Sequence, residues 1–241
     1  MNQPAHFEGQ SAKEHLKKAR KKGAIATSEI HGTEMSGALN AFCECARTLI
    51  ALLLVTYLLL TPTLLPLLLF SLAFTIFSFG RSSLIAWSRL ERLHRLIEDE
   101  RHEITHHREQ EREELTEMYQ AKGLSGKLLT DVIDVLMADD NRLLMVMLEE
   151  ELGLPLESFE HPLLQGLGAA LGCALSAALG LIALHFGGLL PLVITAFLIS
   201  GITAYLTASR LRIEKIRHIT WHISLLFVTG AAAYFLGRAL L

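Results

Sequence analysis

The residues best able to do chemistry are six candidate metal ligands in the charged central part of the chain. They are Glu100, Glu103, Glu111, Glu114, Met147 and Glu151. On one uninterrupted helix the first four carboxylates would lie within an arc of about 80°. Like charges at this spacing destabilise a helix unless a cation neutralises them, and carboxylates with one thioether suit a borderline divalent ion such as Fe²⁺ or Mn²⁺. A solvated acidic face would show the same charge pattern.

The distribution of apolar residues predicts the elements that hold these ligands. The chain is 51% hydrophobic with a mean hydropathy of +0.37, and its apolar residues are concentrated in blocks. Blocks of about 20 apolar residues are long enough to cross a bilayer. The sequence therefore predicts an all-α polytopic membrane protein with five spans. The predicted spans are residues 46–65, 67–87, 163–186, 189–207 and roughly 219–240.

Basic residues predict the orientation of these spans. Lysines and arginines are concentrated in residues 13–22 and 210–217, whereas the connections 61–63 and 185–188 carry no formal charge. Positive charge favours the cytosolic side, so we expect a cytosolic amino terminus and a carboxyl terminus on the far side. The first span is expected to be retained, because no secretory cleavage site follows the basic arm. Anionic lipid is a better partner for that arm than nucleic acid.

The same topology places a long acidic segment between spans two and three, in the cytosol. Residues 88–161 contain 19 Asp and Glu against 9 Lys and Arg, a net charge of −10 in a chain of net charge −3. Three helices are predicted: one leaving the second span and including 98–119, one over 126–137, and one from Asp139 or Asp140 to about residue 153. The predicted organisation is a basic arm with the start of the first span (1–45), spans one and two (46–87), a helical metal-binding domain (88–162) and spans three to five (163–241).

Four motifs in the acidic segment carry a resemblance to a known family. They are E-x-x-E at 100–103, E-x-x-E-L at 111–115, Y-x-x-K-G-L at 119–124 and M-x-x-x-E-L-G-L at 147–154. Together with five predicted spans, this pattern resembles the vacuolar iron transporter family, which includes yeast and bacterial iron and manganese exporters. The resemblance implies a homodimer in a bacterial cytoplasmic or vacuole-type membrane that moves Fe²⁺ or Mn²⁺ out of the cytosol in exchange for protons. It also implies that the six residues named first capture the metal, with Zn²⁺ as a further ion they would bind.

The chain departs from the family pattern at two places. Leu148 stands where the family has a second methionine, and no Asp, Glu or Met lies in residues 46–87, where the family has membrane-embedded ligands. The candidate pathway residues that remain are Glu44 and Arg47, at the entrance to the first span, and Arg81, inside the second. Glu44 either replaces the missing acid or pairs with Arg81 across two helices, and the pairing is the favoured interpretation. The alternative function is therefore a membrane-anchored protein that binds or buffers metal without transporting it.

The remaining motifs argue against an enzyme. Glu91-x-x-His94 and Glu103-x-x-His106 match the ligand unit of di-iron oxidases, but twelve residues of helix separate them by roughly 18 Å. There is no phosphate loop, nucleophile elbow or catalytic triad. Cys43, Cys45 and Cys173 form no zinc or disulfide framework. Small residues in 166–172 and 176–180 predict close helix packing, either within the chain or between two copies.

Overall fold

The computed structural model describes Glu14, Lys17 and residues 35–60, 63–150 and 160–240, and the described elements are all helices. Most of the basic arm and residues 151–159, which include Glu151, lie outside the described residues. The helices are α1 (Gly37–Leu60), α2 (Leu64–His106), α3 (Arg108–Ala121), α4 (Gly126–Met137), α5 (Asp140–Glu150), α6 (Pro162–Gly187), α7 (Leu189–Arg210) and α8 (Lys215–Leu240).

Five of these helices, α1, α2, α6, α7 and α8, are long and apolar enough to cross a membrane. The predicted all-α class and the count of five spans are confirmed. The helix that contains the first span starts nine residues before residue 46, the predicted start of that span. α1 begins at Gly37 because Ser36 Oγ accepts the Leu39 N–H at 3.2 Å and Glu160 accepts the Ala38 N–H at 2.9 Å, which satisfies two amides of its first turn.

The first span also ends earlier than predicted, at Leu60, and α2 begins at Leu64. Pro66 was expected to separate the two spans. It instead lies in the first turn of α2, where a residue without an N–H costs no helical hydrogen bond.

The chain forms two compact units. The membrane unit contains α1, α2 as far as Trp87, and α6 to α8. The acidic unit contains α2 from Ser88 together with α3, α4 and α5.

In the membrane unit, glycines of α6 allow very close contact with neighbouring helices. A Cβ atom at Gly168 would lie 2.1 Å from the Ala38 carbonyl oxygen, and one at Gly172 would lie 2.2 Å from that of Phe42. At Gly166 it would lie 2.0 Å from Ser83 Oγ of α2. These glycines therefore allow close packing within the chain, which is the first of the two alternatives that the sequence left open.

Replacing Gly172 with Ala should destabilise the membrane unit by about 1–3 kcal/mol, the usual cost of inserting a methyl group into a packed core. Gly80→Ala is the matched control, because nothing lies within 4 Å of a Cβ atom at that α2 position. Thermal unfolding of both variants in detergent measures the effect. Equal melting temperatures for the two variants would contradict the close contact of α1 and α6.

The acidic unit is held together by an apolar core and by ion pairs between its helices. Leu115, Ile133 and Leu143 are among the fully or nearly fully buried residues of the core. The guanidinium of Arg108 is 2.6 Å from the Asp140 carboxylate, and two further ion pairs join Arg112 to Asp134 and Lys122 to Glu150. Asp139 is the cap of α5, since its Oδ1 accepts the Arg142 N–H at 2.8 Å.

The predicted uninterrupted helix through 98–119 is wrong, because it breaks at His107. That residue has φ −127° and ψ 33°, and α3 begins at the next residue. No Pro or Gly lies at the break. The contacts that follow it are tertiary: Arg108 donates hydrogen bonds to the Met137 carbonyl and to Asp140. The geometry of the glutamates therefore depends on how α3 packs and not on a single helical stripe.

Candidate metal centre

Three of the predicted ligands converge at the break between α2 and α3. Glu100 and Glu103 lie in the last two turns of α2, and Glu111 lies in the first turn of α3. One carboxylate oxygen from each lies within 4.8 Å of the others. Metal–oxygen bonds are about 2.0–2.6 Å long, so ligands on opposite sides of one ion are about 4–5 Å apart. The spacing of this glutamate cluster therefore fits a single cation.

Burial makes these carboxylates unusual. Glu100 is 4% exposed, Glu111 and Glu114 are fully buried, and Glu103 is half-buried. An ionised carboxylate is costly to bury unless a cation or a proton neutralises it. A solvated acidic face, which the sequence left open, does not describe these four residues.

The pKa of Glu111 is raised to about 10, first by its burial and then by the negative charges of Glu100, Glu114 and Glu103. Without a cation, Glu111 therefore holds a proton at neutral pH. A divalent ion bound among these carboxylates would replace that proton. Its attraction to the carboxylates would offset their repulsion of one another. The arrangement can take up a cation in exchange for a proton.

The other three predicted ligands are not among the described residues that converge at the break. Glu114 is one turn beyond Glu111 and acts on it electrostatically. Met147 is fully buried in α5 as part of the apolar core of the acidic unit, and its role as a ligand stays a prediction. Glu151 lies outside the described residues, so its role stays a prediction as well.

In the membrane unit, Glu44 pairs with a different arginine from the one favoured by the sequence. Its Oε1 is 2.6 Å from the guanidinium of Arg47, one turn along α1. Arg81 is exposed on α2 and forms no ion pair within the described part of the chain. The predicted pairing of Glu44 with Arg81 is therefore wrong, because an arginine on the same helix is closer.

Sequence reasoning missed a polar cluster around this pair. Arg47 is 8% exposed and donates a hydrogen bond to Thr207 Oγ1 of α7 at 3.4 Å. His218 and His222 of α8 have ring centroids 4.6 Å apart and lie close enough to Arg47 and Glu44 to interact electrostatically. The signal that could have found the histidines was their i, i+4 spacing at the start of an apolar span.

The sequence is similar to a known protein family, over a range that includes the acidic unit. A sequence model of the VIT family matches residues 86–238. The match contains all six predicted ligands, helices α3 to α7 and α8 up to residue 238, while Glu44 and Arg81 precede it. No curated protein matches the chain.

Proposed function

This chain belongs to the VIT family, and we propose that it moves Fe²⁺ or Mn²⁺ out of the cytosol in exchange for protons. Membership of this family, with five membrane-length helices, makes it an integral membrane protein of the vacuolar iron transporter type. VIT proteins are transporters and not enzymes, which fits the lack of catalytic motifs in the sequence. The proposal goes further, to the ion, the direction of transport and the coupling.

The observation that carries the proposal is the glutamate cluster formed by Glu100, Glu103 and Glu111. An all-oxygen ligand set suits Fe²⁺ and Mn²⁺ and also accepts Zn²⁺, since carboxylates discriminate weakly among these ions. The surrounding segment 88–161 carries a net charge of −10, which raises the local concentration of cations. We assign metal capture to the acidic unit and propose a cytosolic position for it, because five spans put it on the same side as the basic residues of 13–22 and 210–217, which favour the cytosol.

Glu44 is proposed as the titratable group of the transport pathway. α1 begins at Gly37, so Glu44 lies about two turns inside a membrane-length helix, where an ionisable group is costly and usually functional. Its ion pair with Arg47 leaves the Glu44 side chain 58% exposed. The carboxylate could release Arg47 and accept either a proton or a metal ion.

Exposed charge on the membrane helices supports the proposed homodimer. Glu44 on α1 and Arg81 on α2 both lie on the surface of the membrane unit. Charged groups facing lipid are strongly disfavoured, whereas a protein partner or a water-filled path between subunits would solvate them. A second copy of the chain is the partner that the family resemblance implies.

The second candidate function is metal binding without transport, and one observation favours it. Residues 46–87 contain no Asp, Glu or Met, so the membrane part of the first two helices offers few hard ligands to a crossing ion. In that case the glutamate cluster would buffer cytosolic metal, and the membrane helices would serve as an anchor.

Flux through proteoliposomes separates the two functions. With an acidic lumen and Mn²⁺ outside, we expect the protein to carry Mn²⁺ into the lumen and to raise the lumenal pH, since protons leave the lumen in exchange for each metal ion. Protein-free liposomes and liposomes without a pH gradient are the controls. If the purified protein binds Mn²⁺ but moves none under the gradient, the transport proposal is wrong and the buffering function replaces it.

A further inference from the structure

We propose that Cys45 and Cys173 form a second metal site, within the membrane unit, that binds a thiophilic divalent cation such as Zn²⁺ or Cd²⁺. No sequence motif links these cysteines, because 128 residues separate them. The proposal concerns binding at equilibrium and does not require that the protein transports metal.

The first step is the position of the two thiols. Cys45 lies on α1 and Cys173 on α6, and the two thiols lie close enough to interact. The Cys173 sulfur is 3.9 Å from the Cys45 carbonyl oxygen. Gly172 brings the helices together here, since a Cβ atom on it would lie 2.2 Å from the Phe42 carbonyl oxygen. The close contact holds both sulfurs at one level of the bundle.

A third helix supplies hydroxyl groups to the same place. Ser78 of α2 is 5% exposed and lies close enough to interact with both thiols, and Thr75 lies close enough to interact with Cys173. Thr75 donates its own proton to the Ser71 carbonyl oxygen at 2.7 Å, which leaves its oxygen lone pairs as acceptors. Two sulfurs and two oxygens from three helices therefore surround this thiol site.

The chemistry of the thiols suits a site inside a membrane protein. Neutral thiols are inexpensive to bury, whereas carboxylates are not. Thiols bind metal as thiolates, so binding follows M²⁺ + 2 RSH → M(SR)₂ + 2 H⁺. The two thiolates balance the charge of the ion, and the occupied site is neutral. Such a site offers ligands to a cation beside residues 46–87, which contain no Asp, Glu or Met.

The competing explanation is that the cysteines are small apolar packing residues. Cys43 provides the comparison, because it is fully buried on the same helix but lies within hydrogen-bonding range of Thr207 and not of the thiol pair. A Cys→Ser substitution there removes a buried thiol from α1 without touching the proposed ligands.

The test is a Cd²⁺ titration of the full-length protein in lipid nanodiscs, followed by sulfur-to-cadmium charge-transfer absorption. The carboxylates of the acidic unit give no such band. We expect a saturable band in the parent protein, at least a tenfold weaker affinity in Cys45→Ser and in Cys173→Ser, and parent-like binding in Cys43→Ser. No band in the parent, or an equal loss in Cys43→Ser, would overturn the proposal.

X-ray absorption of the parent protein, loaded with one equivalent of Cd²⁺, identifies the atoms that coordinate the ion and needs no substitution. Two sulfur neighbours around the ion support the site, and a shell of oxygen alone refutes it. Both measurements are independent of flux, so failure of the thiol site and failure of the proposed transport are distinguishable.

Discussion

Mn²⁺ binding to the glutamate cluster should weaken about tenfold for each unit by which the pH is lowered between roughly pH 8 and 6. Burial and the neighbouring carboxylates raise the pKa of Glu111 to about 10, so the metal-free cluster holds a proton throughout this range. Each bound ion must displace that proton. Calorimetry of the full-length protein, in buffers with different ionisation enthalpies, measures both the affinity and the proton released.

Glu111→Gln should lower the Mn²⁺ affinity roughly 100-fold, because cation affinity depends on the number of charged ligands. It should also remove the dependence of the Mn²⁺ affinity on pH, since a glutamine has no titratable proton for the ion to displace. Glu113→Gln is the matched control: it makes the same charge change on α3 at an exposed position. Unchanged affinity in Glu111→Gln, or an equal loss in Glu113→Gln, would disprove the assignment of Glu111 as a ligand.

The same proton sets the stability of the metal-free protein. The folded state keeps the Glu111 proton up to a pKa of about 10, whereas a glutamate in the unfolded chain loses its proton near the ordinary pKa of 4.5. Between these values the folded state binds more protons, so its stability falls as pH rises. Thermal unfolding with a chelator present should show this fall, Glu111→Gln should reduce it, and saturating Mn²⁺ should offset it.

Neutralising Glu44 should reduce metal flux at least tenfold, because the carboxylate that pairs with Arg47 is the group proposed to exchange a proton during transport. Glu44→Gln retains the shape of the side chain and removes its ability to exchange a proton or balance a cation. Glu214→Gln is the control, because Glu214 is also exposed and lies in the connection between α7 and α8. Flux of Mn²⁺ under a pH gradient is compared for the parent and both variants.

Mn²⁺ affinity at the glutamate cluster should be the same in Glu44→Gln as in the parent. That measurement distinguishes a lost pathway from lost capture. If Glu44→Gln transports as fast as the parent, Glu44 does not replace the acid that the family has in its first span.

Local patterns in the sequence were enough to determine the class of the protein. Apolar blocks gave five membrane helices, because the length and hydropathy that a bilayer requires are properties of each segment alone. α4 lies where it was predicted, and α3 ends before Lys122 and Gly123, the latter at φ 92°. The acidic motifs indicated the family that the comparison then showed.

Only the tertiary structure decided which side chains meet. Next to the break at His107, Arg108 contacts Asp140, and Glu111 approaches Glu100 and Glu103 across that break. Cys45 lies close to Cys173, which is 128 residues further along the chain. Such proximities depend on the rotation and spacing of packed helices, which glycines such as Gly172 set through contacts distant in sequence. Helical periodicity fixes the face on which a residue lies, but packing determines what that face contacts.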